Sequence, residues 1–130
     1  MAGFEPFTDD HQAFRRTVRA FVEQELAPHA REWDERGEFP RSLFRTFGEL
    51  GFFGIRRSPA HGGSGLDWWY VVAYAEELAR CRNAGLATGM LVHGEMAIPV
   101  IDDLGTDEQK REFLAPAVRG ERVAALAISE

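Results

Sequence analysis

The chain has 130 residues, of which 45% are hydrophobic and 28% are charged, which is the size of one globular domain with its own core. Twenty-one acidic against fifteen basic residues give a net charge of −6, which excludes a nucleic-acid binder and a protein that adsorbs to anionic membranes. The single cysteine, Cys81, excludes an internal disulfide and a thiolate zinc site and favours a cytoplasmic location.

The amino terminus lacks the basic and apolar stretches of a signal peptide, and hydrophobic periodicity then predicts helices in chain order. Thr8 caps a first helix over about 9–35, with Pro28 as its bend. Pro40 begins a shorter second helix, which Gly51 ends. The residues of the second helix that we predict to face inward are Leu43, Phe44, Phe47 and Leu50.

A turn-rich loop, residues 52–65, separates the second helix from a third, which runs from Asp67 to about Asn83. Its inward residues are predicted to be Trp68, Val71, Val72, Ala75, Leu78 and Ala79, whereas Glu76, Glu77 and Arg80 face the other side. The loop glycines Gly62, Gly63 and Gly65 lack the Gly-Lys of a phosphate-binding loop and the preceding strand of a dinucleotide site. They therefore favour a tight turn.

Residues 84–101 are apolar nearly all round, with His93 and Glu95 as their only ionisable side chains. This composition predicts a helix in the middle of a bundle. A membrane helix is the competing interpretation, and the run is shorter than the roughly 20 residues that a bilayer needs. Thr106 and Gln109 form a capping box for a fifth helix, and Gly120 follows its end. Its inward residues are predicted to be Phe113, Leu114, Ala117 and Val118.

The uniformly apolar run at 123–128 is typical of a buried strand, although periodicity alone does not separate it from a short buried helix. A lone strand needs a sheet from elsewhere to pair its backbone. The predicted fold is all-α: an orthogonal or up-down bundle of five to six helices, with a terminal strand leading toward a β-domain.

The residues themselves show no catalytic constellation. The four histidines share no zinc-ligand spacing with a carboxylate, which predicts no metal site, and no serine or cysteine lies beside a base. The acidic pairs Glu76-Glu77 and Asp102-Asp103 are predicted to be solvated. His93, alone on an apolar helix, favours a hydrogen-bonded core residue over a catalyst.

Six separated segments follow one another in a distinctive order and spacing: 62–66 with 75–80, Val92-His93 with Pro99, 104–110, 113–116, 119–121 and 127–130. Together they resemble the amino-terminal region of the acyl-CoA dehydrogenases. The spacing from Val92-His93 to Pro99 is most similar to the long-chain and related bacterial branch. The resemblance covers nearly the whole chain.

The resemblance implies a three-domain protein, usually a homotetramer, in which residues 1–121 are the amino-terminal α-domain and 122–130 begin the middle β-domain. It implies FAD as cofactor, a fatty acyl-CoA as substrate and electron-transfer flavoprotein as electron acceptor. In the family, a Glu removes the α-proton while the β-hydrogen leaves as hydride to the flavin, giving a trans-2-enoyl-CoA. That Glu belongs to the carboxy-terminal domain, so no catalytic residue is expected in this chain. An acyl-CoA oxidase, a flavin monooxygenase and a stand-alone helical binding module are the alternatives.

Two groups of site residues follow from the resemblance. The residues expected beside the flavin are Leu126, Ile128 and Ser129. The residues expected along the acyl pocket are Gly89, Val92, His93 and Met96. The same apolar residues suit a bundle core equally well. Ser129 replaces a commoner Thr and keeps its hydroxyl, whereas His61 replaces a commoner Tyr before the glycines.

Overall fold

The computed structural model describes residues 6–129, and this part of the chain folds into five helices. We label them α1 (residues 9–36), α2 (Ser42–Glu49), α3 (residues 68–81), α4 (Ala84–Leu104) and α5 (residues 107–118). The all-α fold class is confirmed. The expectation of no signal peptide rests mainly on residues 1–5, and the matching segment 127–130 ends at Glu130, so these positions lie outside the described residues.

Helix α1 is continuous and changes its geometry around Pro28, as predicted. Its regular parts are Asp9–Phe21 and Ala30–Arg36, joined by a π-helical turn at Val22–Leu26 and a 3-10 turn at Ala27–His29. Proline has no N–H to donate, so the regular hydrogen-bond ladder cannot pass through it.

Three predicted helix starts are confirmed by their side-chain caps. Thr8 and Thr106 each form a capping box, and the box of Thr106 is completed by Gln109. Asp67 accepts a hydrogen bond from the backbone N–H of Trp69 at 2.8 Å. These caps satisfy N–H groups that the first helical turn leaves unpaired, so each boundary depends on residues two or three positions apart.

The core is rich in phenylalanine, and part of it comes from the segment predicted only as a loop. Phe47 of α2 has no exposed surface; its ring stacks on Phe53 at 5.8 Å between centroids and meets Phe52 edge-on at 5.6 Å. Phe52, Phe53 and Ile55 are buried, with Phe52–Gly54 in a 3-10 turn. This short apolar run shows neither the helical nor the strand period, which is why the sequence pattern missed it.

Four residues predicted to face inward are exposed instead, and one of them is the small Ala79. Leu50 is 46% exposed, Trp68 56% and Phe113 42%. Leu50 and Trp68 stand at helix ends, where periodicity no longer fixes the direction of a side chain, and Trp68 lies under the guanidinium of Arg56 at 3.6 Å. Phe113 borders a groove between α4, α5 and the carboxy-terminal segment.

Glu77 is buried, so the prediction of a solvated Glu76-Glu77 pair is wrong for one member. Only 3% of the Glu77 side chain is exposed, against 54% for Glu76. Arg19 donates to the Glu77 carboxylate from Nε at 2.8 Å and from Nη2 at 2.7 Å, and Arg15 donates from Nη1 at 3.2 Å. A paired, hydrogen-bonded carboxylate therefore joins α1 to α3.

Helix α4 has 21 residues, and by length and composition alone it could cross a membrane, so the length argument against a span does not hold. Its packing assigns it to the domain. The residues of α4 without exposed surface are Leu86, Met90 and Ile98. Its opposite side is uncovered, with Met96 51% and Val100 47% exposed, so α4 lies at the edge of the bundle rather than in its middle.

Residues 123–129 form no strand in the described part of the chain, which offers them no sheet, so a strand that joins a β-domain stays a prediction. Val123 is 43% exposed, Leu126 36% and Ile128 82%. A strand exists only where a neighbouring strand pairs with its N–H and C=O groups, and five helices offer none. The segment is instead held through a hydrogen bond from the N–H of Ala124.

Candidate functional site

The predicted acyl-pocket residues divide between the two sides of α4. Gly89 and Val92 are partly exposed and Met96 is exposed, so these three lie on the side that the domain leaves uncovered. We call them the α4 surface. His93 is 1% exposed and lies on the buried side. Three of the four predicted residues are therefore available to a ligand, and His93 is not.

Gly89 is small at a place where space is limited. A Cβ atom added at Gly89 would lie 3.4 Å from Cζ of Phe39. Phe39 also lines a cavity of about 440 Å³ together with Trp33, Phe44 and Gly85. A larger residue at position 89 would either push on the Phe39 ring or project along the α4 surface.

His93 fixes the carboxy-terminal segment to the bundle. Its Nε2 lies 3.1 Å from the carbonyl oxygen of Ala117, and its Nδ1 accepts a hydrogen bond from the N–H of Ala124 at 2.9 Å. This pair of partners assigns a neutral imidazole with its proton on Nε2. Burial lowers the pKa of His93, against the opposing effect of the two hydrogen bonds. His93 is therefore a hydrogen-bonded core residue, as its surroundings in the sequence favoured.

Replacing His93 with phenylalanine is expected to lower the unfolding free energy by about 2 kcal/mol, because the Ala117 carbonyl loses its donor while the aromatic contacts with Phe53 and Phe44 survive. Because the pKa of His93 is lower in the folded protein than in the unfolded chain, the wild type has its full stability above the ordinary value of 6.5. The wild type loses this stability as the pH falls from 6.5 toward the folded pKa. The variant should lose this acid dependence.

Denaturant unfolding across this pH range, with hydrogen exchange at Ala124, measures both effects. His29→Phe is the matched control, because His29 is exposed. Equal pH dependence in the wild type and the His93 variant would contradict the assignment.

The predicted flavin residues all lie in the uncovered segment after α5. Leu126 lines a groove of about 380 Å³ with Val100 and Phe113, whereas Ile128 and Ser129 are exposed beyond it. Within residues 6–129, the N–H groups of 125–129 donate no hydrogen bond. Free N–H donors and the Ser129 hydroxyl suit a ligand with a row of acceptor atoms, so the segment fits the polar edge of a flavin ring. Among the described residues, no three His, Cys, Asp or Glu side chains could hold a metal ion together.

Comparison with known families gives a match over most of the chain. Residues 8–121 match the family model for the acyl-CoA dehydrogenase N-terminal domain. The 3-(aryl)acrylate reductase of Clostridium sporogenes is 36% identical over 95% of this chain and 33% of its own length. The mitochondrial long-chain specific acyl-CoA dehydrogenase of Sus scrofa is 33% identical over 95% of this chain and 28% of its own length. The chain thus spans about a third of these relatives.

Solved structures share the same fold. The acyl-CoA dehydrogenase from Geobacillus kaustophilus has a TM-score of 0.86 and 34% identity over 93% of this chain and 31% of its own. A glutaryl-CoA dehydrogenase from Mycobacterium smegmatis in complex with FADH2 has a TM-score of 0.84 and 27% identity over 90% of this chain and 30% of its own. A chain from the structure of the electron transferring flavoprotein of Acidaminococcus fermentans has a TM-score of 0.84 and 31% identity over 93% of this chain and 32% of its own.

The helix order, the caps and the family match agree over the same residues. The family was expected from six short segments, and the match extends it without a break from residue 8 to residue 121. The chain therefore belongs to the acyl-CoA dehydrogenase family and spans its N-terminal domain.

Proposed function

We propose that this domain serves an FAD-dependent acyl-CoA dehydrogenase that converts a fatty acyl-CoA to a trans-2-enoyl-CoA. The family match over residues 8–121 carries the proposal, and the solved relative in complex with FADH2 supports the cofactor. Residues 122–130 are proposed as the start of the middle β-domain. The catalytic base belongs to another domain, so this chain contributes binding and orientation.

The segment 125–129 is proposed to lie along the flavin ring. Its free N–H groups and the Ser129 hydroxyl would donate to the ring's polar edge, with Leu126 and Ile128 beside it. Bound FAD would accept the hydride from the substrate β-carbon. Donors fixed near the ring stabilise the negative charge that reduction creates, and His93 positions this segment through Ala124.

The α4 surface is proposed as one wall of the acyl pocket, with Gly89, Val92 and Met96 against the alkyl chain. An apolar wall suits an alkyl chain because its burial releases water from both surfaces. We also propose an electron-transfer flavoprotein as the electron acceptor, a homotetrameric assembly and a cytoplasmic location. The neighbour in an electron transferring flavoprotein structure supports the proposed acceptor.

A domain exchange tests the function directly. In this chimera, residues 8–129 replace the corresponding domain of the Geobacillus kaustophilus acyl-CoA dehydrogenase. We expect the purified chimera to retain flavin, and we expect a fatty acyl-CoA to bleach that flavin in the absence of oxygen. Ser129→Ala should weaken flavin retention, and Ser129→Thr, which keeps the hydroxyl, should not. A flavin-loaded chimera that no acyl-CoA reduces would contradict the proposal. So would stoichiometric flavin retained by this chain alone, which would favour a stand-alone binding module.

The chimera also tests the acyl wall. Gly89→Leu is expected to shift the preferred acyl chain toward shorter substrates, because the added side chain fills space beside Phe39. The measurement is kcat/KM across a series of saturated acyl-CoA lengths. Ala84→Leu, at the exposed start of α4 and outside the α4 surface, is the control and should leave the profile unchanged. An identical profile in the Gly89 variant would remove the α4 surface from the pocket.

A further inference from the structure

A polar cluster that includes two partly buried carboxylates of α4 has no part in the proposed function. It consists of Glu95 and Asp102 from α4, Arg57 from the segment before the glycine turn, and Tyr74 from α3. We call it the Glu95 cluster. Its four groups join three separate parts of the fold, so any change of charge among them acts on the packing between those parts.

Within this cluster, the buried guanidinium of Arg57 already forms an ion pair with one carboxylate. Arg57 is 4% exposed, and its Nη1 donates to Oδ2 of Asp102 at 3.0 Å. The Asp102 side chain is 19% exposed. This ion pair connects α4 to the turn that follows Arg57, because the carbonyl oxygen of Arg57 accepts from the N–H of Gly65 at 2.9 Å.

Two other polar atoms in the cluster lack a partner of this kind. Oε2 of Glu95 and the hydroxyl oxygen of Tyr74 are buried, and neither has a hydrogen-bond partner among the described residues. Tyr74 is 1% exposed. An ionised carboxylate buried without a partner costs far more free energy than a protonated one. The surroundings of Glu95 therefore favour its neutral form.

The charges around Glu95 do not reverse this preference. Burial raises the pKa of Glu95 to about 7, although Arg57 and Arg56 oppose the shift. Burial also raises the pKa of Tyr74, and the charge of Glu95 adds to it, so Tyr74 stays protonated. On the same helix, burial lowers the pKa of His93 and keeps that ring neutral.

Glu95 lies in an irregular part of α4. The turn Val92–Ala97 is π-helical, and Gly94 within it faces the Phe53 ring so closely that an added Cβ would lie 3.1 Å from Cδ1. Isolated π-turns interrupt the regular ladder and are frequent at functional positions. The outer residues of this turn, Val92 and Met96, belong to the α4 surface.

We propose that Glu95 is a proton-binding site, and that loss of its proton loosens the π-turn of α4 from residues 55–66. Once Glu95 is ionised, Arg57 faces two carboxylates and is already paired with one of them. The buried Oε2 of Glu95 then gains water only if the turn moves outward. The proposal does not depend on which reaction the domain serves.

The test compares Glu95→Gln with Glu112→Gln, a control at an exposed position. A carboxyl group with a raised folded pKa is stabilising below its unfolded pKa and loses that contribution as the pH rises through the folded one. Between about pH 5 and about pH 8, the ionisation of Glu95 should therefore raise the unfolding equilibrium constant on the order of 50-fold in the wild type and in the control. That increment should be absent in Glu95→Gln.

Hydrogen exchange tests the conformational part. Amides of 92–97 and 55–66 should exchange faster at about pH 8 than at about pH 5, after correction for the intrinsic rates, in the wild type and not in Glu95→Gln. Titration of the 13C-labelled carboxyl of Glu95 in the wild type checks the proton site without a substitution. An ordinary glutamate titration, or exchange rates equally pH-dependent in both proteins, would overturn the proposal.

Discussion

Replacing Gly120 with alanine is expected to lower the unfolding free energy by about 4 kcal/mol. Gly120 has a φ of +70°, a backbone conformation that costs alanine about 1 kcal/mol. The rest of the loss comes from contact, because a Cβ at Gly120 would overlap the carbonyl group of Phe44 in α2. Urea unfolding of the purified protein measures the change.

Two other glycines separate the two causes. Gly37 has the same φ of +70° but no atom within 4 Å of an added Cβ, so Gly37→Ala should cost only the conformational part, about 1 kcal/mol. Gly48 lies inside helix α2, where alanine would ordinarily stabilise by about 1 kcal/mol, yet its added Cβ would overlap the carbonyl of Arg119. A stabilised Gly48→Ala variant would show that α2 and the turn after α5 do not approach this closely.

Replacing Glu77 with glutamine is expected to cost about 3 kcal/mol. The amide keeps the shape of the carboxylate but leaves the guanidinium of Arg19 without the charge that it binds, and Arg15 keeps only the carboxylate of Glu76. We expect a loss of unfolding free energy near the lower end of the range for a buried ion pair, because the Arg19 side chain is 41% exposed and water can hydrate it in the variant. Glu76→Gln, at an exposed carboxylate on the same helix, should change stability by less than about 1 kcal/mol.

The same pair of variants gives a pH signature. The hydrogen bond from Arg19 lowers the pKa of Glu77, although burial opposes it. A carboxyl with a depressed folded pKa stabilises above its ordinary value of 4.5, and this contribution is lost as the pH falls toward the folded pKa. Thermal unfolding between about pH 6 and about pH 3 should therefore show a shallower acid loss in Glu77→Gln than in the wild type. Parallel curves for the two proteins would mean that Glu77 is not buried with its arginines.

The candidate site was only partly predictable from the sequence. Residues on one helix keep their relation to each other wherever the helix packs, so Gly89, Val92 and Met96 could be grouped from their spacing alone. The spacing could not show that His93 binds Ala124, because those residues are 31 positions apart and meet only after α5 folds back. The polar surroundings of Glu95 were missed for the same reason, although a lone carboxylate on an apolar helix was the available signal.

By itself, the sequence determined where α1, α3 and α5 begin and which family the domain belongs to. The caps at Thr8, Asp67 and Thr106 follow from hydrogen bonds between residues two or three positions apart, and such bonds form wherever the helix lies. Only the tertiary structure decided that Glu77 is buried and that His93 holds the segment after α5 through Ala124. Burial and strand pairing depend on which distant parts of the chain pack against a segment, and local periodicity does not predict those contacts.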